Sequence, residues 1–128
     1  SYSQLKYLLY RLTNVGEDHF SKRIKVGDYV SERLQNTNVH GVDNDTHSYW
    51  LFPIRTEKRE TLVKALREAG FDATFTSTQL IPIKPSNNSL NEPEMCNDYM
   101  SETIYLPVYE SLPKNKLDQL ISVINSTV

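Results

Sequence analysis

The feature that most constrains the fold of this chain is an apolar and aromatic run at residues 47–54, followed at once by a helical pattern and a glycine. Within the run, the side chains alternate between two faces. One face carries Trp50, Phe52 and Ile54, and the other carries Tyr49 and Leu51. Apolar residues on both faces are typical of a strand that is covered on each side. The run therefore predicts a buried strand over residues 48–54.

An amphipathic helix is predicted directly after this strand. Thr56 is a candidate N-cap, and Gly70 can adopt the left-handed backbone that ends a helix. Phe71 can then fold back on Leu66, which is the contact expected of a Schellman stop. The apolar face of the helix consists of Leu62, Val63, Leu66 and Ala69. Extended segments are expected next, at residues 71–75 and 80–83.

Four further helices and one further strand are predicted elsewhere. The helices are expected at residues 3–14, 17–35, 94–101 and 114–126, and the strand at residues 104–109. Polar composition predicts loops at residues 36–46 and 84–93. Gly27 lies within the second helix, where the close approach of a neighbouring helix would explain a glycine. This order predicts an α+β fold in which a small, mostly antiparallel sheet packs against helices and is preceded by two helices.

The first helix carries a stripe of leucines on one face. The stripe follows the i, i+3, i+4, i+7 spacing and consists of Leu5, Leu8, Leu9 and Leu12. We expect it to be exposed in this chain and to need a partner surface, because an apolar helix face of this size is seldom left in water.

Composition excludes several classes of protein. The 128 residues suit a single domain, and a net charge of -2 without basic blocks argues against a nucleic-acid partner. No apolar run approaches the roughly 20 residues of a membrane span, and no signal peptide opens the chain. The single cysteine, Cys96, cannot form an intrachain disulfide, which favours a reducing compartment. We therefore expect a cytoplasmic protein without a membrane contact.

The sequence offers no catalytic centre of its own. Two His and two Asp gather within residues 40–47, but their spacing fits neither a zinc site nor a calcium loop. We therefore expect no metal. The chain has no glycine-rich phosphate loop, and no Ser-His-Asp or Cys-His set can be assembled from it. No catalytic residue is assigned.

Three motifs, in order, resemble one known family. They are His47-Ser-Tyr-Trp-Leu-Phe-Pro-Ile54, Leu62-Val-Lys-Ala-Leu-Arg-Glu-Ala-Gly-Phe-Asp72, and Ile104-Tyr-Leu-Pro-Val-Tyr109 with the closing helix after it. Together they resemble the C-terminal small domain of fold-type I, pyridoxal-phosphate-dependent aminotransferases, and in particular the DegT-type (sugar aminotransferase-like) branch. The helices between Leu5 and Leu34 resemble the segment that links the large and small domains of that family.

The resemblance implies that the chain is a C-terminal part of an aminotransferase. Residues 1–35 would link to a missing N-terminal large domain, and residues 47–128 would form the α+β core of the small domain. Such a part would contribute to the substrate cleft and to a homodimer surface, and would not be active alone. Its implied partners are the large domain, a second copy, and a small-molecule amino donor and acceptor. A first residue Ser1 instead of Met fits an excised or processed chain.

The resemblance also implies where cofactor and substrate would bind. The family holds pyridoxal phosphate on a lysine of the large domain, and none of the eight lysines here matches that motif. We therefore expect pyridoxal phosphate in the full-length enzyme and none on this chain alone. The family's segment after the glycine stop reaches toward the cofactor. Here the implied substrate-binding residues are Thr76, Ser77, Thr78 and Gln79.

Two alternatives stay open. Residues 76–79 read equally as a polar turn between two strands. The whole chain reads alternatively as an independent small α+β module that binds a ligand or a protein, because its length is self-contained and this turn is rich in hydrogen-bonding groups.

Overall fold

The computed structural model of this protein describes residues 1–14, 16–75 and 94–128. Within these ranges the helices are α1 (Tyr2–Asn14), α2 (Glu17–Ser31), α3 (Arg59–Glu68), α4 (Glu94–Glu102) and α5 (Lys114–Thr127). The strands are β1 (Asn38–Val39), β2 (Pro53–Arg55) and β3 (Thr103–Tyr105). The predicted α+β fold, with a small antiparallel sheet after two helices, is confirmed. The segments expected at residues 80–83 and 84–93 lie outside the described residues.

The sheet has the strand order β1-β2-β3, and both pairings are antiparallel. Ile54 in the central strand is opposite Val39 on one side and Ile104 on the other. At the outer edge of β3, Thr74 forms an isolated bridge to Tyr105. The Thr74 N–H donates to the Tyr105 carbonyl oxygen at 3.3 Å, and the Tyr105 N–H donates to the Thr74 carbonyl oxygen at 2.7 Å. The extended segment predicted at residues 71–75 is thus attached to the sheet.

The core lies where α3 and α5 meet the sheet. Ile54 and Ile104 are fully buried, and α3 contacts both β3 and α5. Helix α3 buries Leu62, Val63 and Leu66 of its predicted apolar face and half-buries Ala69, and α5 buries an apolar face of its own. The buried residues of α5 are Leu117, Leu120, Ile121 and Ile124. Burying one side chain of this size stabilises a fold by about 1.5–3 kcal/mol, so this layer supplies most of the driving force for folding.

The end of α3 is the predicted Schellman stop. Gly70 has a φ of 88°, the left-handed conformation that a glycine adopts without strain. The Phe71 N–H donates to the Leu66 carbonyl oxygen at 2.8 Å, and the Gly70 N–H donates to the Arg67 carbonyl oxygen at 3.0 Å. The start of the helix differs slightly from the prediction. The hydroxyl of Thr56 accepts a hydrogen bond from the Lys58 N–H at 3.1 Å, but it caps a turn before the helix and not the helix itself.

The C-terminal end of α2 is attached to α5. The Tyr29 hydroxyl donates to Asp118 Oδ1 at 2.5 Å. Beyond the helix, Asn125 uses both ends of its side-chain amide: its Oδ1 accepts the Gln35 N–H at 2.9 Å, and its Nδ2 donates to the Arg33 carbonyl oxygen at 2.9 Å. These bonds satisfy backbone groups at the end of α2, which stops at Ser31 instead of continuing to residue 35 as predicted.

The strand predicted over residues 48–54 is wrong for residues 48–52, because β2 begins only at Pro53. Tyr49 has a φ of 47°, a left-handed conformation that a regular strand does not contain. The alternation is therefore broken: Tyr49 is buried, whereas Trp50 points outward with 78% of its surface exposed. Phe52 and Ile54 are buried as predicted, and Leu51 is exposed.

Two other boundaries also differ from the predictions. The strand expected at residues 104–109 ends at Tyr105. The Leu106 N–H instead donates to the Phe52 carbonyl oxygen at 3.0 Å, outside the regular ladder. The segment expected to be a loop at residues 36–46 contains β1. This strand has only two residues and forms by pairing with β2, so the local composition does not indicate it.

The ring of Tyr49 explains the glycine in the middle of α2. A Cβ atom added at Gly27 would overlap several ring atoms of Tyr49. The prediction of a close neighbour at Gly27 is therefore confirmed, but the prediction that the neighbour is a helix is wrong. A side chain from the turn before β2 occupies that space.

Replacing Gly27 by alanine should destabilise the fold by about 1–3 kcal/mol, because the added methyl group overpacks against Tyr49. The loss should appear even though alanine favours a helix over glycine by about 1 kcal/mol. Urea unfolding followed by circular dichroism measures it. Lys25→Ala is the control in the same helix, because Lys25 is exposed and its replacement adds no group next to Tyr49. A Gly27→Ala protein as stable as the wild type would contradict the contact.

Candidate functional site

The residues predicted to contact substrate lie outside the described residues: Thr76, Ser77, Thr78 and Gln79. The described chain stops before them at Phe75 and resumes at Glu94. Arg59 of α3 contacts both sides of this gap. Its guanidinium lies 4.3 Å from the centroid of the Phe75 ring, and its Nη1 donates to the Met100 carbonyl oxygen at 3.4 Å. Arg59 therefore joins Phe75, which directly precedes the predicted substrate segment, to α4.

A concave groove lies between the end of α1, the start of α2 and the turn before β2. It encloses about 460 Å³, and its walls combine three aromatic rings, two guanidinium groups and one amide. The lining residues are Tyr10, Arg11, Asn14, Gly16, Phe20, Arg23 and Trp50. We call it the Trp50 groove. Aromatic walls with a few polar groups are typical of surfaces that bind a ligand or another protein.

Trp50 is held in this groove by Arg23. The Arg23 guanidinium lies 5.6 Å from the centroid of the indole, within the range of a cation–π interaction. On its other side, Arg23 Nε is 3.6 Å from a carboxylate oxygen of Glu110. Only 15% of the Arg23 side chain is exposed, so this ion pair is less screened than one at the surface. The indole is therefore exposed but fixed in direction.

Tyr49 fixes the turn that carries Trp50. Its hydroxyl donates to Asp28 Oδ1 at 2.7 Å, and its backbone N–H donates to His47 Nδ1 at 2.9 Å. Burial, followed by the hydrogen bond to Asp28, raises the pKa of Tyr49 to about 12. A non-glycine residue in the left-handed region costs about 1–2 kcal/mol. The hydrogen bonds and the packing on Gly27 offset that strain and keep the turn in one conformation.

A second, polar groove of about 720 Å³ lies at the other end of the sheet. Its cations are engaged within the chain: Arg55 forms an ion pair with Glu102, and Lys58 Nζ donates to the Thr127 carbonyl oxygen at 3.2 Å. The lining residues are Asn36, Thr37, Asn38, Arg55, Thr56, Glu57, Lys58, Glu102 and Val128. The Trp50 groove is the better candidate for a binding surface, because three aromatic rings line it, whereas none of the described residues that line the second groove is aromatic.

His40 joins β1 to α4 close to this second groove. Its ring centroid lies 4.7 Å from that of Tyr99 in α4. Its Nε2 atom is buried, and it lacks a hydrogen-bond partner within the described part of the chain. Burial, and secondarily the positive charge of Arg55, lowers the pKa of His40 below its usual 6.5. The neutral ring is therefore the form that the fold accommodates.

The described residues do not fit the Schiff-base site of pyridoxal phosphate. A lysine that binds the cofactor needs a pocket that shields it from water. The seven described lysines are all exposed; they are Lys6, Lys22, Lys25, Lys58, Lys64, Lys114 and Lys116. Within the same ranges, His, Cys, Asp and Glu side chains do not gather in threes as a metal site would require.

The leucine stripe of α1 is uncovered, as predicted. The exposed fractions are 67% for Leu5, 55% for Leu8, 60% for Leu9 and 76% for Leu12. None of the 13 residues of α1 is buried. Helices of this length are marginal in water by themselves, so α1 depends on a surface that the described residues do not supply. As far as the described helices go, none combines the length and apolarity that crossing a bilayer requires.

Lowering the pH below 6.5 should destabilise the fold through His40. Below that value the unfolded chain binds a proton that the folded chain resists, so the free energy of unfolding falls as the pH drops toward the lowered pKa of His40. His40→Phe keeps the ring contact with Tyr99 and removes the titration. Urea unfolding between pH 7.5 and about 5 should give a shallower slope for this variant. Equal slopes for the two proteins would contradict this prediction.

Comparisons with known proteins agree with the resemblance in the sequence. The model of the DegT/DnrJ/EryC1/StrS aminotransferase family matches residues 7–125. A DegT DnrJ EryC1 StrS aminotransferase from Brucella abortus is similar, with a TM-score of 0.74 and 19% identity over 93% of this chain and 33% of that one. A search of curated proteins gives no match.

Two further solved structures have the same fold over the same length. For the sugar aminotransferase CalS13 from Micromonospora echinospora, the TM-score is 0.72 and the identity 13%, over 94% of this chain and 33% of that one. For the aminotransferase TlmJ from Streptoalloteichus hindustanus, the TM-score is 0.70 and the identity 16%, over 95% of this chain and 34% of that one. The chain thus spans about one third of the length of these solved chains. Since the family model matches residues 7–125, nearly the whole chain, this protein belongs to the DegT/DnrJ/EryC1/StrS aminotransferase family.

Proposed function

We propose that this chain is the C-terminal small domain of a pyridoxal-phosphate-dependent aminotransferase. In this proposal residues 1–35 link it to a large domain, and residues 47–128 form its α+β core. It supplies one wall of the substrate cleft and part of a homodimer surface, and it is inactive alone. The observation that carries the proposal is that the family match covers nearly all of this chain but only about one third of the solved chains.

The exposed helix α1 supports the link to a large domain. Its leucine stripe has no cover within the described residues, whereas α3 and α5 bury their apolar faces. An apolar stripe over about two helical turns is the kind of surface that packs against another helix or sheet. In the proposed enzyme, the large domain covers it.

The cofactor belongs to the part of the enzyme outside this chain. When bound, pyridoxal phosphate acts as the electron sink for amino-group transfer. The lysine that holds it comes from the large domain, because the described lysines here are all exposed. The proposed reactants are a small-molecule amino donor and acceptor. The single cysteine, Cys96, supports a reducing, cytoplasmic setting.

The complete enzyme should absorb near about 400 nm with bound pyridoxal phosphate and transfer an amino group from an amino acid to a keto acceptor. The chain of 128 residues, purified alone, should do neither. Absorption spectra, and an assay of the amino product, measure both. A stoichiometric coloured adduct on the isolated chain, trapped by reduction and mapped to one of its lysines, would overturn the proposal.

Residues Thr76 to Gln79 are proposed as the contribution of this chain to substrate binding, through hydroxyl and amide hydrogen bonds. Removing one such bond costs about 1 kcal/mol, so Thr76→Val, Ser77→Ala, Thr78→Val or Gln79→Ala should raise the KM for one substrate about fivefold. Steady-state kinetics of the complete enzyme measure this.

The matched control for these variants is Ser122→Ala, which removes an exposed hydroxyl from α5. It should leave KM unchanged. If all four variants also keep the wild-type KM, the segment is a polar turn without a role in binding.

A further inference from the structure

We propose that Trp50 is the anchor by which this chain docks onto the large domain of the enzyme. The inference rests on the proposed function and adds the residue that carries the contact.

The chain exposes Trp50 against its own sequence pattern. In a regular strand over residues 48–54, Trp50 would share the buried face of Phe52 and Ile54. The left-handed backbone of Tyr49 breaks this alternation and leaves the indole 78% exposed. Non-glycine residues in this conformation are uncommon and cluster at binding and functional sites. The strained turn at Tyr49 therefore directs the indole of Trp50 outward.

The exposed indole is fixed before any partner arrives. Arg23 stacks on it at 5.6 Å and is itself 3.6 Å from Glu110. A side chain already held in place loses little conformational freedom on binding. Tryptophan and arginine are the residues most enriched at the energetic centres of protein interfaces. The pair Trp50–Arg23 has the composition and the preorganisation of such a centre.

The large domain is the occupant that fits best. The Trp50 groove is bounded on one side by Tyr10, Arg11 and Asn14 of α1, so the indole is continuous with the helix proposed to pack on that domain. Solved relatives are about three times as long as this chain, so the remaining two thirds of such a chain can supply the surface that covers Trp50. Arg23 is already paired with Glu110, but Arg11 also lines the groove, which predicts a partner surface that is apolar and carries a carboxylate opposite Arg11.

Hydroxyl-radical footprinting of the complete enzyme, read by mass spectrometry, tests the proposal. Trp50 is compared with Met95 of α4, whose exposed fraction is 87%. After normalisation to the unfolded enzyme, Trp50 should be oxidised about tenfold more slowly than Met95, because an interface anchor is shielded from water. Equal normalised rates would overturn the proposal.

Two other patterns of protection would also overturn it. Protection of Trp50 that appears only after substrate is added would assign the groove to a small molecule. Protection lost when the enzyme is diluted to monomers would assign it to a second copy of the chain. A negative result leaves the proposed function standing if the same preparation binds pyridoxal phosphate and transaminates. Absence of both activities would count against the proposed function instead.

A variant pair strengthens the assignment. Trp50→Ala in the complete enzyme should increase the oxidation of Tyr10 at the edge of the groove severalfold, and Trp50→Phe should increase it less, because part of the aromatic surface remains. Val42→Ala truncates an exposed apolar residue outside the groove and should leave Tyr10 unchanged. If Tyr10 responds equally to Trp50→Ala and Val42→Ala, or to neither, the docking role is wrong.

Discussion

The contact between the Tyr49 ring and Gly27 connects the two halves of this structure. It places a residue from the turn before β2 against the middle of α2, with no room for a side chain at Gly27. It also delays the start of β2 to Pro53, since the left-handed Tyr49 cannot belong to a strand. The hydroxyl of the same residue bonds Asp28, so packing and polar contact act at one place. The position of α2 on the sheet and the outward direction of Trp50 both follow from this contact.

Local patterns predict the parts of this fold that local forces determine. The faces of α3 and α5 follow from helical spacing, and the stop at Gly70 follows from the backbone freedom of glycine and the return of Phe71. Alternation predicts the wrong face for Tyr49, because it assumes a continuous strand. The conformation of Tyr49 depends on Gly27 in α2, and a pattern within one strand does not contain that information.

The candidate site was accessible from sequence only in part. A resemblance to the family led to residues 76–79, which lie outside the described residues, and to the uncovered leucines of α1, which the structure confirms. The Trp50 groove was missed because its walls come from three separate segments. One signal was present: Gly27 indicated a close neighbour, and the aromatic run offered rings that could fill that space. Together, these two signals predict that Tyr49 points inward against Gly27 and that Trp50 points outward.

The attachment of α2 to α5 limits how this domain can move. Tyr29 with Asp118, and Asn125 with the backbone beyond α2, tie the two helices at separate points. Helices tied in this way move as one body, so any displacement of α2 also displaces α5 and the elements packed on it.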